Sequence, residues 1–187
     1  YDSGGERALE AELNTKGESQ EVKRIRFLDV PVDNIDNQTL TLRLGQMCRD
    51  QKRHQIVLLT ISKILKARVN KDYLAMLEAA DLVLPGSKGI LSGLKFQKKE
   101  LPVRFNPYQL IIQCFSTAER LERGAYLLGC RKKEIIGAEK NLRVSFPLLK
   151  IVGRFSGYYK KQQEGDIKIS VRKAAPGFTA VGKGLPG

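Results

Sequence analysis

The chain has 187 residues, 42% of them hydrophobic, and a formal net charge of +13. Its length fits one domain of ordinary size, and its apolar content excludes a disordered chain. No apolar run is long enough to span a bilayer, and no signal peptide is visible in the first twenty residues. We therefore expect a soluble or peripheral protein of the cytoplasm.

The positive charge is unevenly distributed along the chain. Residues 1–22 contain six acids and two bases, so residues 23–187 carry a net charge of +17. We expect the acidic segment to be a flexible tail. The basic remainder favours an anionic partner, such as a membrane surface, nucleic acid or a phosphorylated substrate. The alternative is a solvated surface that only keeps the protein soluble.

Few side chains are suited to metal binding or disulfide formation. The cysteines, Cys48, Cys114 and Cys130, are far apart, and the chain has one histidine, His54. A structural zinc site needs about four clustered ligands, so we expect neither a metal nor another cofactor. The odd number of cysteines favours a reducing compartment, where each cysteine is a small apolar residue of the core.

The first half of the basic region shows short apolar runs separated by helical patterns. The stretch "RIRFLDVPVDNI" predicts a strand with Pro31 in the following turn, and "DNQTLTLRLGQMCRD" predicts a helix capped by Asp36 or Asn37. "QIVLLT" predicts a buried strand, followed by a helix in two pieces that break near Asn70. "DLVLP" predicts the next strand, with a turn over residues 85–89.

The second half continues this alternation. A helix is predicted to begin near Pro107 and to end before Gly124. After it come the strand "AYLLGC", a helix closed by Pro147, the strand "LKIVGRFSGYY", a helix in "QEGDIKISVRKAA" and a strand beginning "GFTAVG". The pattern indicates an α/β fold: one Rossmann-like domain over residues 23–187, with a mostly parallel sheet and helices on both faces.

Ligands of such folds bind at the carboxyl ends of the strands. The residues predicted at these ends include a hydroxyl and glycines that allow close backbone approach: Thr60, Gly86, Gly129, Gly157 and Gly182. Neither a carboxylate nor a histidine is predicted there, although general acid–base catalysis needs such a group. Arg104 could hold a phosphate or be an ordinary surface arginine, and Tyr158 could stack on a base or be an ordinary core or exposed tyrosine.

The order of several motifs matches a known family. The stretches are "LDVPVDNI", "ARVNKDYLAMLEAADLVLP", "AYLLG", "LKIVGRFSGYY" and "VGKGLP". On these, residues 25–186 resemble the WecG/TagA/CpsF glycosyltransferases, glycosyltransferase family 26. The resemblance implies transfer of an N-acetylhexosamine, often N-acetylmannosamine, from a UDP-sugar without an essential metal. It also implies an acceptor sugar on a polyprenyl diphosphate of the cytoplasmic leaflet, and a C-terminal appendage that helps close the site and engages the membrane.

The sequence departs from the family pattern at its catalytic positions. Gly86 stands where the resemblance places an aspartate base, and Thr60 stands at the asparagine position of a Thr-x-Asn motif. Arg104, the expected ligand of the acceptor phosphate, is kept, but the acid that follows it in the family motif is lost. We expect the domain over residues 23–187 to lack the family's C-terminal appendage. The resemblance implies a vestigial nucleotide site at Gly129, Cys130, Gly157, Tyr158, Gly182, Gly184 and Pro186.

Three functional hypotheses follow. The first is a catalytically degenerate glycosyltransferase-fold protein that binds an anionic membrane surface or an acidic protein at the inner face of the cytoplasmic membrane. It would bind UDP no more tightly than about millimolar. The second is an active transferase of this family that recruits its base from elsewhere. The third, a nucleic-acid-binding module, rests on charge alone, because no known nucleic-acid-binding motif is present. Homo-oligomerisation stays open.

Overall fold

A computed structural model describes residues 22–50, 52–100 and 102–182. The strands are β1 (Lys23–Phe27), β2 (Val30–Asn34), β3 (Ile56–Leu59), β4 (Leu82–Pro85), β5 (Ala125–Leu128), β6 (Ile151–Phe155) and β7 (Phe178–Val181). The helices are α1 (Asn37–Arg49), α2 (Ile61–Val69), α3 (Lys71–Glu78), α4 (Lys88–Phe96), α5 (Pro107–Arg120), α6 (Lys132–Ser145) and α7 (Glu164–Ala174). The tail predicted for residues 1–22 lies, except for Val22, outside the described residues.

The chain forms two compact units. Of the described residues, those up to Arg43 and those within His54–Phe105 form unit 1, and those within Leu44–Arg53 and from Asn106 onward form unit 2. In the described residues, unit 1 carries an antiparallel pair, β1–β2, and a parallel pair, β3–β4. Unit 2 carries a parallel sheet in the order β6-β5-β7. The predicted α/β class, with parallel strands and flanking helices, is confirmed.

The β1–β2 hairpin corrects the prediction for Pro31. Leu28 and Asp29 make the turn with φ of 51° and 65°, so Pro31 lies inside β2, opposite Arg26. Positive φ at both central residues is the signature of a type I′ turn, which usually takes Asn or Gly. Leu28 and Asp29 are neither, so no local signal marked the turn, and the prediction placed it at Pro31 instead.

A buried carboxylate joins this hairpin to β4. Asp33 is fully buried and accepts hydrogen bonds from the Arg24 guanidinium at 2.7 Å and from the Val83 backbone N–H at 2.7 Å. The Asp33 hydrogen bond raises the pKa of Arg24 above its ordinary value. A buried charge is tolerated when it is paired and hydrogen-bonded, as it is here.

Helix boundaries in unit 1 follow local capping. Asn70 ends α2 and also begins α3, where its side chain accepts from the Tyr73 backbone N–H at 2.8 Å, so the predicted break is confirmed. Asp36 caps α1 by accepting from the Thr39 backbone N–H at 2.7 Å. The turn predicted over residues 85–89 is shorter than expected, because α4 already begins at Lys88.

Unit 2 buries an aromatic core beneath its sheet. The ring of Phe115 packs edge-on against Phe178 with centroids 5.5 Å apart, and it also contacts Phe146. α5 begins at Pro107, as the sequence predicts, and Asn106 caps it. Cys114 is buried on this helix, while Cys48 and Cys130 are only partly buried. In the described part of the chain, no helix is both long and apolar enough to cross a bilayer.

Candidate functional site

The carboxyl end of the parallel pair in unit 1, which we call the unit 1 edge, brings together two predicted site residues. Thr60 follows β3 and Gly86 follows β4 directly. The Gly86 backbone N–H donates to the Leu59 carbonyl at 2.8 Å, and this bond extends the β3–β4 pairing beyond the strand ends. The Thr60 side chain caps α2, where it accepts from the Lys63 backbone N–H at 3.4 Å.

The space beside Gly86 is already filled. A Cβ atom at this position would lie 2.7 Å from Leu58 Cγ and 3.0 Å from the Leu59 carbonyl oxygen. Both distances are shorter than ordinary van der Waals contact, so a side chain at residue 86 requires Leu58 to move. Gly86 and Leu58 therefore form one packing unit at the unit 1 edge.

Lys63 supplies a basic group at the same edge. Its ammonium donates to the Leu58 carbonyl at 2.8 Å, and its side chain is partly buried. Burial lowers the pKa of the Lys63 amine, because desolvation disfavours the charged form. A lysine with a lowered pKa can accept a proton closer to neutral pH than an ordinary lysine.

Ser87 and Arg104 complete the described unit 1 edge. The Ser87 hydroxyl is enclosed and has no hydrogen-bond partner among the described residues. The Phe105 backbone N–H donates to the Pro85 carbonyl at 2.9 Å, which places the backbone next to Arg104 at the end of β4. The structure thus brings the predicted phosphate ligand and Gly86 to the same edge of unit 1.

The carboxyl end of the unit 2 sheet, which we call the unit 2 edge, is closed by backbone. Gly129 follows β5 with φ of +125°, and a Cβ there would lie 2.7 Å from the Gly182 nitrogen and 2.8 Å from its Cα. Only glycine combines that φ with so close an approach. Cys130 has φ of 55°, and its sulfur would lie 3.0 Å from a Cβ at Gly182.

The turn after β6 is fastened to the turn after β5. The Cys130 carbonyl accepts from the Gly157 backbone N–H at 3.0 Å and from the Ser156 hydroxyl at 2.9 Å. Tyr158 comes next and is 64% exposed. The Arg131 guanidinium lies 5.9 Å from the centre of the Tyr158 ring, within cation–π range. An exposed aromatic ring and a cation at one strand end suit a planar, anionic ligand.

Two predicted site residues cannot be compared with the structure, and four residues of the two edges were not predicted. Gly184 and Pro186 lie outside the described residues, so their predicted role is untested. Sequence reasoning missed four further residues, because their importance depends on contacts rather than on a motif: Leu58, Lys63, Arg131 and Ser156.

Of the described residues, no three or more His, Cys, Asp or Glu side chains are grouped as a metal site would need. His54 instead hydrogen-bonds to Asp81 at 2.8 Å, at the amino end of β3.

A comparison with models of protein families finds a match that covers almost all of the described residues. A model described as the glycosyl transferase WecG/TagA/CpsF family matches residues 25–187. The chain belongs to the WecG/TagA/CpsF glycosyltransferase family. The match runs from within β1 to beyond β7 and therefore includes both edges described above.

Two relatives of this WecG/TagA/CpsF family member carry the same name, N-acetylglucosaminyldiphosphoundecaprenol N-acetyl-beta-D-mannosaminyltransferase. The protein from Bacillus spizizenii strain W23 is 25% identical over 166 residues, which cover 88% of this chain and 63% of the relative. The protein from Bacillus subtilis strain 168 is 23% identical over 138 residues, which cover 73% of this chain and 53% of the relative. The chain thus spans between about half and two thirds of each relative's length.

Proposed function

We propose that this protein is an active glycosyltransferase that moves an N-acetylhexosamine of the N-acetylmannosamine type from a UDP-sugar to a sugar on a polyprenyl diphosphate. The observation that carries the proposal is the family match over residues 25–187, which includes both edges. The names of the two relatives support the choice of sugar and of a lipid-linked acceptor. Of the hypotheses drawn from the sequence, this is the second.

The donor nucleotide is assigned to the unit 2 edge. The turn that carries Gly129 and Cys130 leads directly into the amino end of α6, and a helix amino end favours negative charge. Arg131 adds a cation at that helix end. The exposed Tyr158 ring offers a stacking surface for the uracil base, and stacking of this kind contributes about 1–3 kcal/mol per base.

The acceptor side is assigned to residues of the unit 1 edge. In the reaction, the acceptor hydroxyl oxygen bonds to the anomeric carbon, the bond from that carbon to the UDP oxygen breaks, and UDP leaves with the electron pair. The hydroxyl proton passes to a base, a role that we assign to the neutral amine of Lys63 because Gly86 has no side chain to supply it. Arg104 is assigned to the acceptor diphosphate, since a guanidinium binds phosphate oxygens in pairs.

A transfer assay tests the function and the base separately. The assay uses UDP-N-acetylmannosamine, a soluble analogue of the lipid-linked acceptor, and the full-length protein with any natural extension. We expect turnover above the no-enzyme control, a rate that rises with pH through the Lys63 ionisation, and a loss of about 10²–10⁴-fold in Lys63→Met. Lys95→Met, which removes an exposed lysine of α4, is the matched control and should keep full activity.

The assay distinguishes a wrong assignment of the base from a wrong assignment of the function. If Lys63→Met keeps both its rate and its pH dependence, Lys63 is not the base, while the transferase function stands. If the wild-type protein gives no turnover with any donor tested, the transferase proposal fails.

A catalytically degenerate, membrane-associated protein is the second candidate function. The observation in its favour is the filled space beside Gly86, where Leu58 leaves no room for a carboxylate. The two candidates differ in turnover: a degenerate protein gives none, and Gly86→Asp does not restore it. For either candidate we propose a location at the inner face of the cytoplasmic membrane, where lipid-linked acceptors would be reached.

A further inference from the structure

One helix of unit 1 exposes an apolar stripe. Ile61, Leu65 and Val69 are spaced four residues apart along α2, and their exposed fractions are 37%, 55% and 86%. Residues at this spacing share one face of a helix. Ile64 and Ala67, on the other side of α2, are buried in the unit 1 core. The helix therefore has a second apolar face that the described part of unit 1 does not cover.

The exposed stripe is bordered by positive charge. The sequence of α2, ISKILKARV, contains three bases and no acid. By helical position, Arg68 lies beside Ile61 on one flank of the stripe, and Lys66 lies on the other flank. The Lys66 ammonium is 4.8 Å from the centre of the Tyr73 ring on α3. Lys71 continues the basic surface where α3 begins, followed by the acid Asp72.

This combination favours a lipid surface over a second copy of the chain. Two copies meeting through this face would bring Lys66 and Arg68 toward the same cations of the partner copy. Three side chains on a nine-residue helix are also far smaller than the roughly 800 Å² that each partner buries in a stable protein interface. An anionic bilayer removes both objections, because its headgroups are negative and its surface is continuous.

We propose that the outer face of α2 docks on anionic membrane, with Ile61, Leu65 and Val69 entering the interface between headgroups and acyl chains and with Lys66 and Arg68 contacting lipid phosphates. A helix with apolar and basic residues on one exposed side lies in the plane of the membrane rather than crossing it. Because Thr60 of the unit 1 edge caps the start of α2, this docking also brings that edge to the lipid surface. The inference concerns membrane binding alone and does not rest on sugar transfer.

Vesicle flotation without any sugar donor tests the docking. Wild-type protein is mixed with vesicles of phosphatidylcholine alone or with 30% phosphatidylglycerol (about one third anionic lipid, enough for a strong surface potential). We expect binding to the anionic vesicles that falls as salt rises. Two double variants test the two parts of the surface. One removes apolar side chains (Leu65→Gln with Val69→Gln), and the other removes charges (Lys66→Gln with Arg68→Gln). Each should reduce the partition coefficient by about tenfold or more.

Matched controls in unit 2 separate docking from bulk charge and bulk hydrophobicity. Val144→Gln with Leu148→Gln removes two exposed apolar side chains, and Arg172→Gln with Lys173→Gln removes two exposed charges. Both controls should bind within about twofold of the wild type. Equal losses in the controls and in the α2 variants would overturn the proposal, as would equal wild-type binding to the two kinds of vesicle.

A fluorescent reporter keeps the test valid even if a double variant fails to fold. The chain has no tryptophan, so Val69→Trp introduces a single probe at the most exposed position of the stripe. We expect its emission to shift to the blue with anionic vesicles and to be quenched by brominated lipid, while Leu148→Trp stays unchanged. An unshifted Val69→Trp spectrum on vesicle-bound protein would overturn the assignment to α2. A shift that depends on protein concentration and not on vesicles would assign the face to self-association instead.

Discussion

The two carboxyl edges end in similar glycine-bearing turns, but different atoms close them. At the unit 1 edge, the side chain of Leu58 fills the space beside Gly86. At the unit 2 edge, the backbone of Gly182 fills the space beside Gly129. A side chain can change rotamer or be replaced, whereas backbone held in a ladder cannot move without loss of hydrogen bonds. The chemistry of the unit 1 edge can therefore vary, while the shape of the unit 2 edge is fixed.

The largest expected effect is at Gly129. Alanine there must adopt a φ of +125° and place its Cβ against the Gly182 backbone, so we expect Gly129→Ala to lower the free energy of unfolding by about 3 kcal/mol or more. Chemical denaturation measures the change. Gly137→Ala, in α6 with no atom within 4 Å of its added Cβ, is the control and should be neutral or stabilising. Similar values for the two variants would show that backbone does not close the unit 2 edge.

A smaller loss of folding stability is expected on substitution of Gly86. Gly86→Ala brings its Cβ against the movable Leu58 side chain, so we expect a loss of about 1–2 kcal/mol. In a double-mutant cycle with Leu58→Ala, about 1 kcal/mol of this loss should be recovered. No such relief is available at Gly129, whose three nearest atoms are all backbone. Additive effects of Gly86→Ala and Leu58→Ala would break the contrast between the two edges.

Replacing Cys130 by glycine is expected to change stability by a still smaller amount and in the opposite direction. Its φ of 55° costs a non-glycine residue about 1–2 kcal/mol, and glycine removes that strain at an entropic cost of about 0.5–1 kcal/mol. We therefore expect Cys130→Gly to raise the free energy of unfolding by about 0.5–1 kcal/mol. Cys130→Ala keeps the strained backbone and serves as the control, with no gain expected. A destabilised Cys130→Gly would mean that the cysteine side chain supports the turn through its packing.

The smallest expected effect is a difference in thiol reactivity between Cys130 at the unit 2 edge and Cys114 in the unit 2 core. Burial, reinforced by the nearby Cys48, raises the pKa of Cys114 to about 12. At pH 8 its thiol therefore stays protonated, and only the thiolate reacts readily with alkylating agents. We expect peptide mapping after iodoacetamide treatment to find Cys130 modified first and Cys114 unmodified until the protein unfolds. Equal labelling of the two residues in native protein would contradict this order.

Much of the fold could be predicted because its signals are local. The buried strands have continuous apolar sequences, and caps such as Asp36, Asn70 and Asn106 accept backbone hydrogen bonds within three residues of their own positions. The α4 helix escaped prediction because Gly89 and Gly93 lower its helix propensity. Gly93 is nevertheless required, since a Cβ there would collide with the Phe27 ring.

The site could be predicted only in part. The glycines at the strand ends were found from the α/β pattern, and each lies at the carboxyl edge of its own unit's sheet. Leu58 and Lys63 were not found, because the packing of one against Gly86 and the burial of the other are tertiary effects. The family resemblance predicted the family but favoured a degenerate protein, whereas the family match and the named relatives fit the active alternative better.

Calorimetric titration with UDP tests whether the unit 2 edge binds the donor nucleotide, as we propose. We expect a dissociation constant in the micromolar range, about −8 kcal/mol at 1 μM, and a weakening of about tenfold or more in Tyr158→Ala. The matched control is Tyr108→Ala, which removes another exposed tyrosine of unit 2, 71% exposed against 64% for Tyr158, and should bind as the wild type does. No measurable heat at millimolar UDP, or equal affinities of Tyr158→Ala and the wild type, would contradict the account.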